Sequence, residues 1–179
     1  SKNINNKIIG FDIEKKFIIE AKKKLPTYEF KKLNITANSK IYKDKFDILF
    51  SLGVASHFDS IEKYLESLIF YSKKKGTIII ESLFNNYDLD VRINHRYSND
   101  KNGKWYSDWN FSSKKTVKNY LTKNTKVKSF YFQDFDLNKT LIRKKEPIRS
   151  WTIKVDGKKK LTNGLMFVQQ HSFLIIKLK

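Results

Sequence analysis

Three histidines, His57, His95 and His171, are the side chains whose ordinary chemistry is to take up or release a proton near neutral pH. The chain has no cysteine, which excludes thiolate nucleophiles, thiolate metal sites and disulfides. A second chemistry is written at Asp12, which closes the apolar run IIGFD. A carboxylate at the end of a parallel strand can accept hydrogen bonds from both hydroxyls of a ribose. The same Asp also suits the cap of a following helix, and the two roles are compatible. A third feature is aromatic. Residues 85–112 hold Tyr87, His95, Tyr97, Trp105, Tyr106, Trp109 and Phe111, together with Arg92 and Arg96. Flat rings there could face a sugar or another ring, and the arginines could hold a phosphate or carboxylate. The plainer alternative is a loop whose aromatics pack on the protein and whose arginines are solvated.

These residues need a scaffold, and hydrophobic periodicity supplies one. Residues 7–12 read as a short buried strand. Residues 14–24 follow with Phe17, Ile18, Ala21 and Leu25 at helical spacing, and Pro26 stops that helix. Residues 28–33 and FDILFS at 46–51 read as further strands. Asp59 with Glu62 three residues later is a capping-box-like start for a helix striped by Ile61, Tyr64, Leu65, Leu68 and Ile69. Gly76 stands where a C-terminal cap is expected. TIIIESL at 77–83 is a continuous apolar run, as in a strand buried on both faces of a parallel sheet. Residues 113–123 predict a short helix through Val117, Tyr120 and Leu121, and 126–137 a strand. A lysine-rich stretch at 138–164 contains Asp156-Gly157, a hairpin dipeptide. Residues 167–178 form a last long strand. Strands alternating with helices predict an α/β fold with a mostly parallel sheet. Right-handed crossovers then bring the strand ends, and any ligand, to one edge.

The length of 179 residues suits one domain able to bury a core. With 40% hydrophobic and 15% aromatic residues, a solvated coil is excluded. The apolar runs are too short for a membrane span, and the first residues lack the apolar region of a signal peptide. A cytoplasmic globular protein is expected. The formal charge of +19 would ordinarily suggest nucleic acid. Yet only four of the 37 basic residues are arginines: Arg92, Arg96, Arg143 and Arg149. Phosphate readers favour the planar guanidinium, and the lysines here are spread along the whole chain. That is the composition of an AT-rich, bacterial-type genome, so a nucleic-acid partner is not the favoured reading.

Four segments resemble the class I S-adenosylmethionine-dependent methyltransferases. They are IIGFDIE at 8–14, FKKLNI at 30–35, FDILFSLGVASHF at 46–58 and KKKGTIIIESLFN at 73–85, in that family's order and spacing. Beyond residue 85 only the order of elements matches, ending with HSFLIIKL at 171–178. The resemblance implies a Rossmann-like, mostly parallel sheet with helices on both faces and an antiparallel last strand. It implies S-adenosyl-L-methionine as cofactor. Asp12 would hold the ribose, and Ile13 and Ile35 would wall the adenine. Asn34 would accept from the adenine amino group, where the family usually has Asp. Ser51, Leu52 and Gly53 would face the methionine part. Each has a plainer reading: a core residue at Ile13, a turn-forming Asn, a tight turn at Gly53. His57 falls where the family often has a His near the sulfonium and substrate, although a lone His is as readily structural.

Methyl transfer from a sulfonium is an in-line displacement, so the protein must align the acceptor and exclude water. An oxygen acceptor also needs a base. His57 is the first candidate, His95 the second and His171, in or beside the last strand, the third. Tyr87, Arg96, Trp105 and Trp109 are the expected acceptor contacts, and 86–112 and 138–165 the expected insertions around it. The expected reaction is O-methylation of a small-molecule or sugar-like acceptor, with no metal. The alternatives are an RNA methyltransferase and a non-catalytic interaction subunit. One family feature has no room. In a dinucleotide unit the acid lies about 20 residues beyond the glycine-rich loop, and only eleven residues precede Asp12. The expectation is therefore a domain lacking its first strand, with a gap between the strands ending at Asp12 and Ser51, that folds poorly alone.

Overall fold

Alternation along TIIIES places Ile78 and Ile80 on one face of a strand and Ile79 and Glu81 on the other, and the main sheet is built around that strand. The computed structural model describes residues 7–100, 102–135 and 139–179. The chain opens with β1 (Ile9–Asp12), α1 (Lys15–Lys24), β2 (Glu29–Lys32), β3 (Phe46–Leu52), α2 (Ile61–Tyr71) and β4 (Ser72–Asn85). Three short strands follow: β5 (Asn94–His95), β6 (Tyr106–Ser107) and β7 (Ser112–Ser113). The chain ends with α3 (Lys114–Lys123), β8 (Val127–Asp134), β9 (Trp151–Val155), β10 (Lys158–Thr162) and β11 (His171–Leu178). Residues 136–138, the end of the expected strand at 126–137 and the start of the lysine-rich stretch, lie outside the described residues.

The five-stranded sheet has the order β3-β4-β11-β8, with β7 on the end of β4. β3 and β4 are parallel, while β11 runs antiparallel to both β4 and β8, as expected of the last strand. Ile80 lies opposite Leu174, and Ile78 opposite Ile176. On that face pack Tyr64, Leu65 and Leu68 of α2 with Val117 and Leu121 of α3, all almost fully buried. Burying each such side chain contributes about 1.5–3 kcal/mol. The predicted stripe on α2 is thus the stripe that meets the sheet.

Two boundaries differ from expectation. The cap of α2 is Ser60, whose Oγ accepts from the Lys63 amide at 3.3 Å; Asp59 instead accepts from Ser107 Oγ at 3.0 Å. Gly76 caps no helix. α2 ends at Ser72, whose backbone turns extended and whose Oγ donates to the Leu68 carbonyl at 3.0 Å, and the chain passes directly into β4. Gly76 lies inside β4, where a Cβ would come within 2.8 Å of the Lys73 carbonyl oxygen and 3.3 Å of that of Asp47. Crowding by backbone, not helix termination, calls for glycine there. The hairpin is where the dipeptide placed it. β9 and β10 pair across Asp156 (φ 49°) and Gly157 (φ 73°), the left-handed pair of a primed turn.

α2 and α3 lie on the same face of the five-stranded sheet, and α1 lies with β1 and β2. Among the described residues no helix covers the other face, and Ile48, Phe50 and Leu52 remain 56%, 66% and 60% exposed on it. β1 pairs with β2 alone and β3 with β4 alone among the described residues. Between them the contact is aromatic: the Phe11 ring meets Tyr42 at 5.0 Å and Phe46 at 5.7 Å between centroids.

Candidate active site

Parallel strands carry their carboxyl ends in one direction, and Asp12, Ser51 and Leu52 stand at such ends of β1 and β3. Asp12 ends β1. Its Oδ1 accepts the Glu14 amide at 2.7 Å, the helix-entry role, and its other oxygen has no partner among the described residues. Ile13 beside it is 53% exposed. Asn34 caps a short 3-10 turn at Ile35–Ala37; its oxygen accepts from the Thr36 amide at 3.1 Å and the Thr36 hydroxyl at 2.9 Å. Its acceptor capacity is therefore engaged locally, as a turn-forming Asn does. Ile35 is half-buried and packs against the main core.

At the end of β3 the three residues diverge. Ser51 points inward, and its hydroxyl pairs with that of Tyr64, so only its backbone faces the edge. Leu52 is exposed. Gly53 adopts φ +68° and donates its amide to the Glu81 carbonyl at 3.0 Å. Left-handed backbone explains that glycine, since other L-residues pay about 1–2 kcal/mol there.

The loop after β3 carries His57, and the aromatic segment docks onto that loop. The Asn110 amide donates to the Ser56 carbonyl at 2.9 Å, and Asn110 Nδ2 to the Phe58 carbonyl at 3.3 Å. Arg92 donates to the Asp59 carbonyl at 3.0 Å. The docking brings two predicted histidines to one carboxylate that sequence reasoning missed. His95 Nδ1 lies 3.0 Å from Asp108 Oδ1, and His57 Nδ1 lies 4.0 Å from Asp108 Oδ2. His95 is clamped further by the Tyr106 ring, stacked at 5.6 Å. Arg96 lies over the Trp105 ring at 5.3 Å, and Trp109 meets Phe167 at 6.3 Å. Tyr87 is 75% exposed and makes no ring contact among the described residues. Arg92 and Asn110 therefore serve as anchors, while Trp105 and Tyr87 keep exposed faces.

A second pair stands at the same edge. His171 opens β11, and its Nδ1 lies 2.5 Å from Glu81 Oε1; its Nε2 lies 3.2 Å from Gln169 Oε1. Glu81 also flanks the turn at Gly53, where its Oε2 would be 3.9 Å from an added Cβ. Glu81 is the one acid inside the apolar run TIIIESLF, and that interruption is the signal by which it could have been found. Asp108 carried no comparable signal. A cleft of about 140 Å³ beside His171 is lined by Gln169, Asp134 and Lys160 among others. A larger cavity of about 340 Å³, between the C-terminal ends of α2 and α3, is at the opposite edge and away from these groups. Among the described residues no group of three or more His, Asp or Glu is placed to hold a metal ion, and no helix is long and apolar enough to cross a membrane.

The family model for the methyltransferase domain matches residues 1–145. The chain belongs to the methyltransferase domain family. Among solved structures it is similar to an S-adenosylmethionine-dependent methyltransferase of Methanosarcina mazei, with 13% identity and a TM-score of 0.60 over 96% of this chain and 81% of that one. It is also similar to a possible histamine N-methyltransferase of Thermotoga maritima (14% identity, TM-score 0.53, 96% and 72% covered). A third is 1,6-didemethyltoxoflavin-N1-methyltransferase of Burkholderia thailandensis, with 1,6-didemethyltoxoflavin and S-adenosylhomocysteine bound (10% identity, TM-score 0.52, 97% and 62% covered). At these identities the likeness is one of fold. No curated protein matches the sequence.

The family is thus that of the methyltransferase domain, and a further solved structure similar in fold, DhpI, holds S-adenosylhomocysteine. Among the described residues one oxygen of Asp12 is unpartnered at a strand end with exposed Ile13 next to it, an arrangement that would fit the ribose and adenine of such a cofactor. Asn34 would have to release Thr36 before accepting from an adenine amino group.

Proposed function

We propose that this methyltransferase acts on a small-molecule or sugar-like acceptor, and that the methyl group goes to oxygen. The observation that carries the reading is the docking of the aromatic segment onto the loop after β3, which brings His95, Asp108 and His57 together beside Gly53. When bound, the cofactor supplies a methyl group activated on a sulfonium. The chain's own residues do the rest. Asp12 accepts from the ribose hydroxyls, with Ile13 and Ile35 as apolar walls. The backbone of Ser51 and Gly53, with Leu52, faces the methionine part. His57, half-exposed beside that turn, takes the proton of the acceptor hydroxyl, an effect worth roughly 10²–10⁴-fold in rate for a well-placed base. Trp105, Trp109, Tyr87 and Arg96 form the acceptor side, where flat rings and a guanidinium suit a ring or a hydroxylated molecule. Segments 86–112 and 138–165 together make that cover; Tyr97 of the first donates to Glu146 Oε1 of the second at 2.8 Å.

The test has two parts. Calorimetric titration with S-adenosylhomocysteine should show binding, and its absence refutes the cofactor site. Release of S-adenosylhomocysteine should then be followed over panels of phenols, saccharides and amines. Turnover confined to amines overturns the assignment to oxygen.

A further inference from the structure

We propose that Asp108 is the positioning residue that joins His57 and His95 into one proton-handling unit. The inference rests on the methyl-transfer reading above. Its starting point is a carboxylate only 15% exposed between two imidazoles, one 11% and one 55% exposed. Burying a carboxylate is costly unless it is paired and hydrogen-bonded. Here Asp108 Oδ1 and His95 Nδ1 are 3.0 Å apart but not aligned for a hydrogen bond, and among the described residues neither buried atom has another partner. Buried polar atoms left in that condition call for a reason, and a site that completes its hydrogen bonds on binding is one.

The local backbone agrees. Trp109, next in the chain, sits at φ +60°, an outlier for so bulky a residue. The strain is held by bonds on both sides of Asp108. Its own amide donates to the Ile93 carbonyl at 3.3 Å, Ser107 Oγ donates to Asp59 at 3.0 Å, and Asn110 makes two bonds to the loop of His57. The carboxylate is therefore fixed against the element that carries His57, while His57 keeps the exposed ring. When Asp108 accepts the Nδ1 proton of an imidazole, Nε2 is left with its lone pair bare. On His57 that nitrogen would receive the acceptor's hydroxyl proton as oxygen bonds to the methyl carbon, the methyl–sulfur bond breaking and neutral S-adenosylhomocysteine leaving. His95 packs the far side of the carboxylate and limits its rotation.

Long-range proton–nitrogen NMR spectra read the ring tautomers directly, at a pH where both rings are neutral. The expected result is Nδ1–H on His57 and His95 in the unaltered protein. Asp108→Asn should lose that form on both rings, and Asp108→Glu should restore it. Nε2–H on both rings of the unaltered protein overturns the proposal without need of any variant. So does an Asp108→Asn spectrum unchanged from the parent. S-adenosylhomocysteine affinity should stay within about twofold in Asp108→Asn, since the residue is placed on the acceptor side. Failure of the unaltered protein to bind S-adenosylhomocysteine sinks the methyl-transfer reading instead, and leaves the tautomers to speak for the pairing alone.

Discussion

His171 Nδ1 lies 2.5 Å from Glu81 Oε1, although the two residues are ninety positions apart in the chain. The contact exists because β11 runs antiparallel beside β4 and sets His171 opposite Leu83, one pleat from Glu81. It ties the first residue of the last strand to the acid flanking the Gly53 turn. Glu81→Gln keeps the shape and removes the charge. A charge-assisted hydrogen bond contributes about 1.5–3 kcal/mol, and the remaining exposure of both side chains places the loss toward the lower end. Urea unfolding should show that loss, and an unchanged midpoint would remove any structural role for the pair.

Gly53→Ala isolates backbone strain. The added Cβ would stand 3.9 Å from Glu81 Oε2, an ordinary contact, so the penalty is that of φ +68°. The expected loss is about 1–2 kcal/mol, read from the same unfolding curves. A neutral substitution would show that this turn relaxes freely.

Tyr64 gives a dependence on pH. Burial pushes its phenol up to about 12 from 10.0, against the opposing effect of its bond to Ser51. The folded state therefore holds this proton more tightly than the unfolded chain. The stability it contributes is complete below pH 10 and is lost as pH rises toward 12. Two pH units correspond to about 2.7 kcal/mol at most. Lysines also titrate in that range, so the comparison is with Tyr64→Phe. The variant should lose less stability between neutral and strongly alkaline solution than the parent. Parallel curves would refute the assignment.

Asp12→Ala addresses the cofactor. Removing hydrogen bonds to a charged group should weaken S-adenosylhomocysteine binding roughly 10–100-fold. Affinity equal to the parent's, measured calorimetrically, would leave Asp12 as a helix cap and nothing more.

These cases also show what sequence could convey. The stripe of Ile61, Tyr64, Leu65 and Leu68 and the Asp156-Gly157 turn are local patterns, and the fold uses both as read. The antiparallel last strand is implied by the family resemblance and not by any local pattern. The misreading at Gly76 arose because a glycine after a helix has two physical causes, a left-handed cap and a crowded backbone, and only the neighbouring strand decides between them. The pairings at the site were further out of reach. His57, His95 and Asp108 meet because two loops dock, and Glu81 meets His171 because a strand closes a sheet. No periodicity records such closures. Asp12, Asn34 and Gly53 could be named in advance because strand ends are local. Their present partners, Glu14, Thr36 and the Glu81 carbonyl, are equally local and account for each residue's conformation.

Asp12 and Gly53 stand on separately laced rafts, moored through the rings of Phe11, Tyr42 and Phe46. A ladder of amides locks at one register, whereas stacked rings tolerate sliding. Among the described residues the three rings, held at 5.0, 5.7 and 6.1 Å from one another, are thus a hydrophobic hinge pin between two hydrogen-bonded ladders.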